Sequence, residues 1–436
     1  MNRHYRSWGL NPRVKQTGCV LDGSTKNDLA CYQSGHKLLA YGCGSSYGDV
    51  CLNDDGILLD TCKLDHFLDF NPDTGVLRCE SGVTLHSINQ VFVKHGWFLP
   101  VTPGTQNVTL GGAIANDVHG KNHHQAGSFG CHVIKIGLYR SQEGCIECQQ
   151  GENEELFRAT IAGLGLTGFI QWAEIQLKKI SSPFLQTEKM LFANLQEFDA
   201  LSREADKAYE YTVAWIDSIA SKKNRGRGVL FCGEHAGSKV SSTSSKKKTL
   251  SIPFNAPKGL LSYPVIKTFN MAYFNIHRMT SKKALTYYQP FFYPLDSIGH
   301  WNRLYGKKGL YQYQCVIPLQ QGIDVVQELL TICAHYMQGS FLSVLKKFGD
   351  IKSPGILSFP RPGYTLALDF RNLGESTLNM FSELDRVVFA NQGALYPAKD
   401  ARMSSDGFRQ SFPELDTFKN YIDPVFSSNF MKRVML

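Results

Sequence analysis

Gly42-Cys43-Gly44-Ser45-Ser46-Tyr47-Gly48-Asp49, directly after the apolar Leu38-Leu39-Ala40, is the stretch on which the fold turns. A tight glycine turn aims successive backbone N–H groups into one concavity and holds a phosphate without side-chain charge. The spacing is GxGxxxG, and the turn-forming Asn53-Asp54-Asp55-Gly56 stands where a dinucleotide-binding helix would begin. With no helix N-terminus to receive the pyrophosphate, the doubly wound nicotinamide-binding reading fails on context. A GxGxxG match does occur at Gly163-Leu164-Gly165-Leu166-Thr167-Gly168. There a predicted helix comes before the glycines and a predicted strand, Phe169 to Leu177, comes after, the reverse of what the motif requires.

A third glycine-rich stretch runs from Pro103 through Gly104, Thr109, Leu110, Gly111, Gly112, Asn116, His119 and Gly120 to His124. Thr109 is placed to cap a short Gly/Ala-rich helix whose small side chains let a flat ring press against backbone. His119 and His123 are four apart, but Gly120 and Asn122 argue against a continuous helix that would bring them onto one face. No metal site is expected. No HExxH motif occurs in the chain.

The 436 residues predict two or three domains at roughly 150 residues each. A hydrophobic fraction of 43% and a charged fraction of 19% exclude a disordered chain. No apolar run reaches the ~18 residues that span a bilayer, and Met1 to Trp8 carries charge without an apolar h-region behind it. No transmembrane segment or secretory signal is therefore expected. Twelve cysteines are scattered, which predicts reduced, mostly buried thiols. The single CxxC, Cys145-Ile146-Glu147-Cys148, follows a turn and is placed on a hairpin strand rather than in a zinc or redox site. The net charge of +8 is densest at Lys222 to Arg227 and Lys246 to Lys248. These runs read as a solvated insertion or as a docking flap for an anionic membrane. They carry no interleaved aromatics of the kind that stack nucleic acid bases, so no nucleic acid partner is expected.

Periodicity predicts strands at Ile57–Asp60 and Val76–Glu80, and a helix capped by Thr84 with Leu85, Ile88, Val91 and Phe92 inward, ending at Gly96. A hairpin over Val133–Tyr139 and Cys145–Cys148 and a helix over Glu152–Ile161 follow. From about 182 to 390 the chain turns to longer, aromatic-rich segments. Gln312 and Gln314, two apart, fall on one face of a strand, where paired amides read hydroxyl groups.

In this order, GCGSSYGD, PGTQNVTLGGAIANDVHGKNHH, GSFG (Gly127 to Gly130) and GLGLTG resemble the vanillyl-alcohol-oxidase, or PCMH, type of FAD-binding oxidoreductase. Within it they are most similar to the branch that oxidises the 2′-hydroxyl of decaprenylphosphoryl-β-D-ribose. The likeness continues through Ala214-Trp215, Tyr293 to Asp296, Trp301 to Arg303, Leu384 to Arg386 and Leu395 to Arg402. It implies an α+β fold of two domains: an FAD-binding domain made of residues 1–181 and 391–436, and an antiparallel-sheet substrate domain over 182–390.

The resemblance also implies roles for residues. Gly42, Cys43, Gly44, Ser45, Ser46, Tyr47, Gly48 and Asp49 would wrap the FAD pyrophosphate. Gly104, Thr109, Leu110, Gly111, Gly112, Asn116, His119, Gly120, Ile170 and Tyr396 would approach the ribityl chain and isoalloxazine. Lys399 matches the lysine beside flavin and substrate, with Tyr47 and His119 as further proton-handling candidates; the base is not assigned uniquely. Gln312, Gln314, Lys346 and Lys399 would face the sugar. Ser45 stands where covalent members often have histidine, which implies non-covalent FAD. Ala367 stands where mycobacterial enzymes carry cysteine, so a reactive thiol is missing from the pocket.

The implied reaction oxidises a polyprenylphosphoryl-β-D-ribose to its 2′-keto sugar, the first half of an epimerisation to the arabinose lipid donor of arabinan and cell-wall synthesis. An NADH-dependent keto-reductase is the implied partner. The expected location is cytoplasmic or peripheral to a membrane, with the periplasm left open. Two alternatives remain: an FAD-dependent oxidase of a soluble alditol, aldonolactone or free sugar, and a flavin-binding or basic interaction protein without turnover.

Overall fold

Residues 169–176, Phe-Ile-Gln-Trp-Ala-Glu-Ile-Gln, bury Phe169, Ile170, Ala173 and Ile175, and this strand is at the middle of the first sheet. The computed structural model describes residues 4–23, 31–32, 35–220, 224–237, 250–257 and 259–435. Five antiparallel strands lie in the order Phe67–Phe70, Val76–Glu80, Phe169–Gln176, Val133–Arg140, Gly144–Gln149. A second, three-stranded parallel sheet places Gly56–Asp60 between Thr17–Val20 and Lys37–Tyr41. Leu58 and Leu59 of its central strand are fully buried, as expected for a parallel strand covered on both faces. The glycine loop leaves the end of strand Lys37–Tyr41.

The helix Leu85–Phe92 is capped as its sequence dictates: the Thr84 side chain accepts from the Ser87 amide, and Gly96 closes the segment at φ +81°. Its inner face differs from expectation at one place. Val91 is 40% exposed, and Asn89 fills the buried arc instead. Asn89 lies nearer the Leu85–Phe92 line on the helical wheel, and its side-chain N–H donates to Tyr293 Oη at 2.9 Å. The predicted hairpin forms as Val133–Arg140 with Gly144–Gln149. Cys145 is exposed on it and Cys148 buried, because residues three apart on a strand face opposite ways. The predicted helix over Glu152–Ile161 is shorter, Glu154–Thr160, since Glu152 pairs with Gln149 and Asn153 takes φ +51°.

An eight-stranded antiparallel sheet follows. Its order is Lys283–Tyr287, Phe184–Phe192, Gly228–His235, Tyr211–Ile216, Ser343–Phe348, Gly363–Arg371, Leu310–Ile317, Ala394–Leu395. One face carries Tyr313, Cys315, Leu345, Leu366, Leu368 and Phe370 into the largest core, packed under the helices Gly322–His335 and Glu375–Ala390. The register puts Gln312 opposite Asp369, Gln314 opposite Ala367 and Lys346 opposite Thr365. With a side-chain period of two, all six residues share the other face.

Two expectations are corrected. Cys19 and Cys31 form a disulfide, their Cα atoms 6.0 Å apart, where reduced thiols were expected. The strand Thr17–Val20 brings Cys19 to bridging distance of the short segment that holds Cys31. The basic run ending at Arg227 is also not simply solvated. Arg227 pairs with the buried carboxylate of Asp217 at 3.0 Å, and Arg225 donates to Thr331 Oγ1 at 2.6 Å. Lys222, Lys223 and Lys246 to Lys248 lie outside the described residues. Among the described residues no helix is long and apolar enough to cross a membrane.

The chain's last helix, Asn429–Val434, returns to the first glycine loop. Arg433 grips both oxygens of Asp49, at 2.9 and 2.7 Å, and reaches Asp400 Oδ2 at 3.0 Å. Both carboxylates are nearly buried. Removing one partner of such a cluster leaves uncompensated charge, at a cost of about 3 kcal/mol. Arg433→Leu is therefore expected to lower the denaturant midpoint by about that free energy, and a variant as stable as the parent would show the clamp to be idle.

Candidate active site

The loop Gly42 to Asp49 is pressed between two neighbours. A Cβ on Gly42 would overlap the Thr109 side chain, and one on Gly48 would overlap the Asp400 carbonyl. Only glycine fits at either place. Within the loop the Tyr47 amide donates to Ala398 O at 2.9 Å, and Ser45 Oγ donates to Asn107 O at 2.7 Å. The amides of Gly44, Ser45 and Ser46 have no acceptor among the described residues. Thr109 caps the helix Leu110–Ala115 as expected, its hydroxyl accepting from the Gly112 amide at 3.2 Å. The Leu110 and Gly111 amides are already engaged by Val83 O and Ser81 O. This second stretch therefore offers a small-residue surface, whereas the first offers donors.

The C-terminal return sets Lys399 against that loop. Lys399 sits in the turn Pro397–Lys399 with its Nζ 4.1 Å from the centre of the Tyr47 ring, a cation–π contact. Tyr396 donates its hydroxyl to Asn116 O at 2.9 Å, which ties the return to the end of the small helix. Facing Lys399 is Asp369, 2% exposed on the sheet face described above. Gln312 donates its side-chain amide to Asp369 Oδ1, and the Asp369 amide donates to Ser340 Oγ at 3.0 Å. Burial raises the Asp369 carboxyl far above the ordinary carboxylate range, opposed by Gln312 and by the Lys399 charge. Burial lowers Lys399 in turn, and Asp369 partly restores it. Tyr47 is raised well above the usual phenol value, first by burial and then by Asp369.

A second group sits beside this pair. Lys346 Nζ lies 3.0 Å from His119 Nδ1 and donates to Gly120 O at 3.0 Å. His119 Nε2 lies 3.0 Å from the Gln314 amide, which also reaches Thr365 Oγ1 at 3.2 Å. Burial, then the charges of Lys346, His123 and Lys399, hold His119 well below its usual pKa, so the ring is neutral. Gln314 presents its amide nitrogen, a donor, to Nε2, so Nε2 accepts and the single N–H sits on Nδ1, facing the Lys346 amine. Burial, with help from Lys121 and Lys399, brings Lys346 down to about 7. Lys121, buried and donating to the carbonyls of Phe291 and Phe292 at 2.7 and 3.1 Å, is also lowered to about 7.

These residues fit FAD. The glycine loop supplies free amides for a diphosphate, and the Gly/Ala helix supplies a flat wall. The side-chain oxygens of Asn116 and Ser81 are buried without a partner beside that wall. Three lysines against one carboxylate suit an anionic guest.

The three candidates Lys399, Tyr47 and His119 converge with Gln312, Gln314 and Lys346, and Tyr396 stands at the same junction. Gly104 is open on its Cβ side, and Leu110 and Ile170 lie in the core behind the small helix. Ala367 occupies the site face opposite Gln314. Sequence reasoning missed Asp369, Lys121 and Tyr305. The signal for Asp369 was available: it is the one charge in Gly363 to Phe370, a segment otherwise reading as a buried strand. Nothing comparable marked Tyr305, a buried phenol raised by burial, Asp369 and Tyr47.

Residues 29–148 match the FAD binding domain family. The chain is 34% identical over 427 residues to the decaprenylphosphoryl-β-D-ribose oxidase of Mycolicibacterium smegmatis, covering 93% of this chain and 91% of that one. It is 29% identical over 372 residues to an uncharacterized protein in the mprA 5′ region of Streptomyces coelicolor, covering 81% of this chain and all of that one. L-Gulonolactone oxidase of Mus musculus is a more partial relative, 25% identical over 44% of each chain. With a third of its residues shared along nearly its full length, the chain belongs to the decaprenylphosphoryl-β-D-ribose oxidase family of FAD-binding flavoproteins.

Proposed function

We propose that this protein oxidises the 2′-hydroxyl of a polyprenylphosphoryl-β-D-ribose to the 2′-keto sugar, with FAD held non-covalently. The observation that carries the reading is the convergence of Lys399, Asp369, Gln312 and Gln314 beside the glycine loop. Bound FAD supplies the two-electron acceptor for the carbinol hydrogen. The chain's own residues handle the hydroxyl and its proton.

Gln312 and Gln314, two apart on the strand, present amides to neighbouring sugar hydroxyls. The base that takes the hydroxyl proton is Asp369 or its neighbour Lys399. Asp369 has one oxygen held by Gln312 and the other without a hydrogen-bond partner among the described residues. A base works deprotonated, and the Asp369 carboxyl is raised by burial. Its working form is therefore lost as pH falls through a value well above the ordinary ~3.9 of a carboxylate. Lys399, lowered by burial, can be neutral closer to physiological pH than a surface lysine. The lysines together stabilise negative charge that develops at the site. The keto product requires an ensuing reduction, which fits an NADH-dependent keto-reductase completing the epimerisation for arabinan and cell-wall synthesis.

The deciding assay is anaerobic bleaching of the bound flavin by polyprenylphosphoryl-ribose against a panel of free alditols and aldonolactones. Bleaching by the lipid sugar alone is expected; bleaching by soluble polyols alone would transfer the site to the other substrate class. Lys399→Met should slow this reduction by about 10²-fold or more while the yellow protein persists, and near-parental rates would remove Lys399 from the chemistry. In the pH profile of kcat/KM, Asp369→Asn should abolish the acid limb if the carboxylate is the base. Survival of that limb assigns the proton to Lys399. Acid precipitation should release all the flavin, because Ser45 occupies the loop position discussed above; flavin retained in the pellet would show a covalent link.

A further inference from the structure

The helix Tyr263–Met279 packs mainly by one face. Ile266 and Asn270 are buried, Tyr273 lies 4.6 Å from the Trp215 ring, and His277 lies 5.2 Å from Phe231. Turned roughly 100° from that face is a second, largely exposed apolar stripe, in contact with its surroundings through the Phe269 ring: Val265, Phe269, Ala272, Ile276 and Met279, spaced 4, 3, 4 and 3 residues apart. Phe269 is 44% exposed, Ile276 57% and Met279 86%. A stripe with this spacing on a solvent face marks an interaction surface. Close by in the sequence, Leu250 and Phe254 are more than two-thirds exposed as well.

The charged residues of this helix and of the segment just after it are all cationic, with Lys283 reaching Glu188 of the neighbouring strand at 3.4 Å. Lys267, Arg278, Lys282 and Lys283 are exposed. Between Glu234 and Asp296 the sequence has nine Lys or Arg and no Asp or Glu, more positive charge than the net +8 of the whole chain. Pairing with a second copy through a heptad-like stripe calls for charges of both signs at its edges; two copies of this stripe would set cation against cation. An anionic lipid surface is complementary to both halves of the feature, taking the apolar side chains between its headgroups and the cations at the phosphates.

The helix also connects to the site. Asn270 donates its side-chain amide to Asp217 Oδ1 at 3.0 Å and to Ser340 O at 3.2 Å. Ser340 is the residue whose hydroxyl accepts from the Asp369 amide. From the outer stripe, the Phe269 ring lies 5.6 Å from Phe341, and Phe341 stacks 5.8 Å from Tyr305. Tyr305 feels the charge of Asp369 and Tyr47. A continuous aromatic file thus runs from the exposed stripe to the catalytic groups.

We infer that the helix Tyr263–Met279 is an interfacial element that seats the protein on an anionic bilayer by its Val265–Met279 stripe and cationic flank, with the Phe269–Phe341–Tyr305 file leading a lipid-borne substrate inward. The inference deepens the substrate class proposed above, yet bilayer seating is measurable without any turnover. The test is sedimentation of the full-length, FAD-loaded protein with phosphatidylcholine vesicles, with and without phosphatidylglycerol. Binding is expected only with the anionic lipid. Ile276→Glu with Met279→Glu should cut partitioning about tenfold or more, with flavin content and reduction by a short-chain, water-dispersible substrate unchanged. Lys282→Glu with Lys283→Glu should weaken binding in the same direction without touching the apolar stripe. Indifference of the parent to both vesicles, or full binding by both double variants, overturns the inference. So does a dimer that the Ile276 and Met279 changes dissociate while lipid binding stays absent, since the stripe then serves a second copy. Loss of flavin bleaching with vesicle binding intact would instead count against the proposed reaction alone.

Discussion

Arg433 holding Asp49 and Asp400 together is the contact on which the rest of the site depends. Asp49 ends the glycine loop, and Asp400 follows Lys399. One guanidinium therefore fixes the separation between the glycine loop and the turn that carries Lys399. Arginine suits this task because its planar fork meets one carboxylate through two N–H groups and still has donors for another. The Tyr47–Ala398 backbone hydrogen bond and the Tyr47–Lys399 ring contact repeat the same junction at shorter range. Glycine loop and Lys399 turn are thus held as one unit.

The opposite wall is made by sheet register. Gln312 across from Asp369, and Gln314 across from Ala367, present four side chains to the cavity while their neighbours Tyr313 and Leu368 fill the core. Because the period is two, a strand can be wholly apolar on one side and chemically active on the other. Burial then does the electrostatic tuning. It raises Asp369 and lowers Lys399, Lys346 and Lys121. Groups that would be locked in their charge states at the surface are brought to where a proton can move either way.

Much of this was legible in the sequence. The glycine loops announced their conformations, because few residues tolerate such close approach, and Thr84 and Thr109 capped the helices predicted for them. Gln312 and Gln314 were readable from strand spacing alone. What resisted was long-range. Asp49 and Arg433 are 384 residues apart, and no local pattern says that they meet. Asp369 was visible only as a charge in an apolar run, with no hint of Gln312 or Lys399 as its neighbours. Asn89 rather than Val91 faces inward because helical geometry puts position 89 on the Leu85–Phe92 line, and the Tyr293 hydroxyl supplies the buried amide with an acceptor. The Cys19–Cys31 bridge escaped because composition argued for thiols and only the folded path brings the two together.

The length of that loop closure has a consequence for biogenesis. At about 5–20 residues per second, a ribosome needs roughly 20 to 75 seconds to travel from Asp49 to Arg433. Throughout that interval the nascent chain holds its glycine loop without the guanidinium that locks it, so the junction of that loop with the Lys399 turn closes only once the helix Asn429–Val434 has emerged.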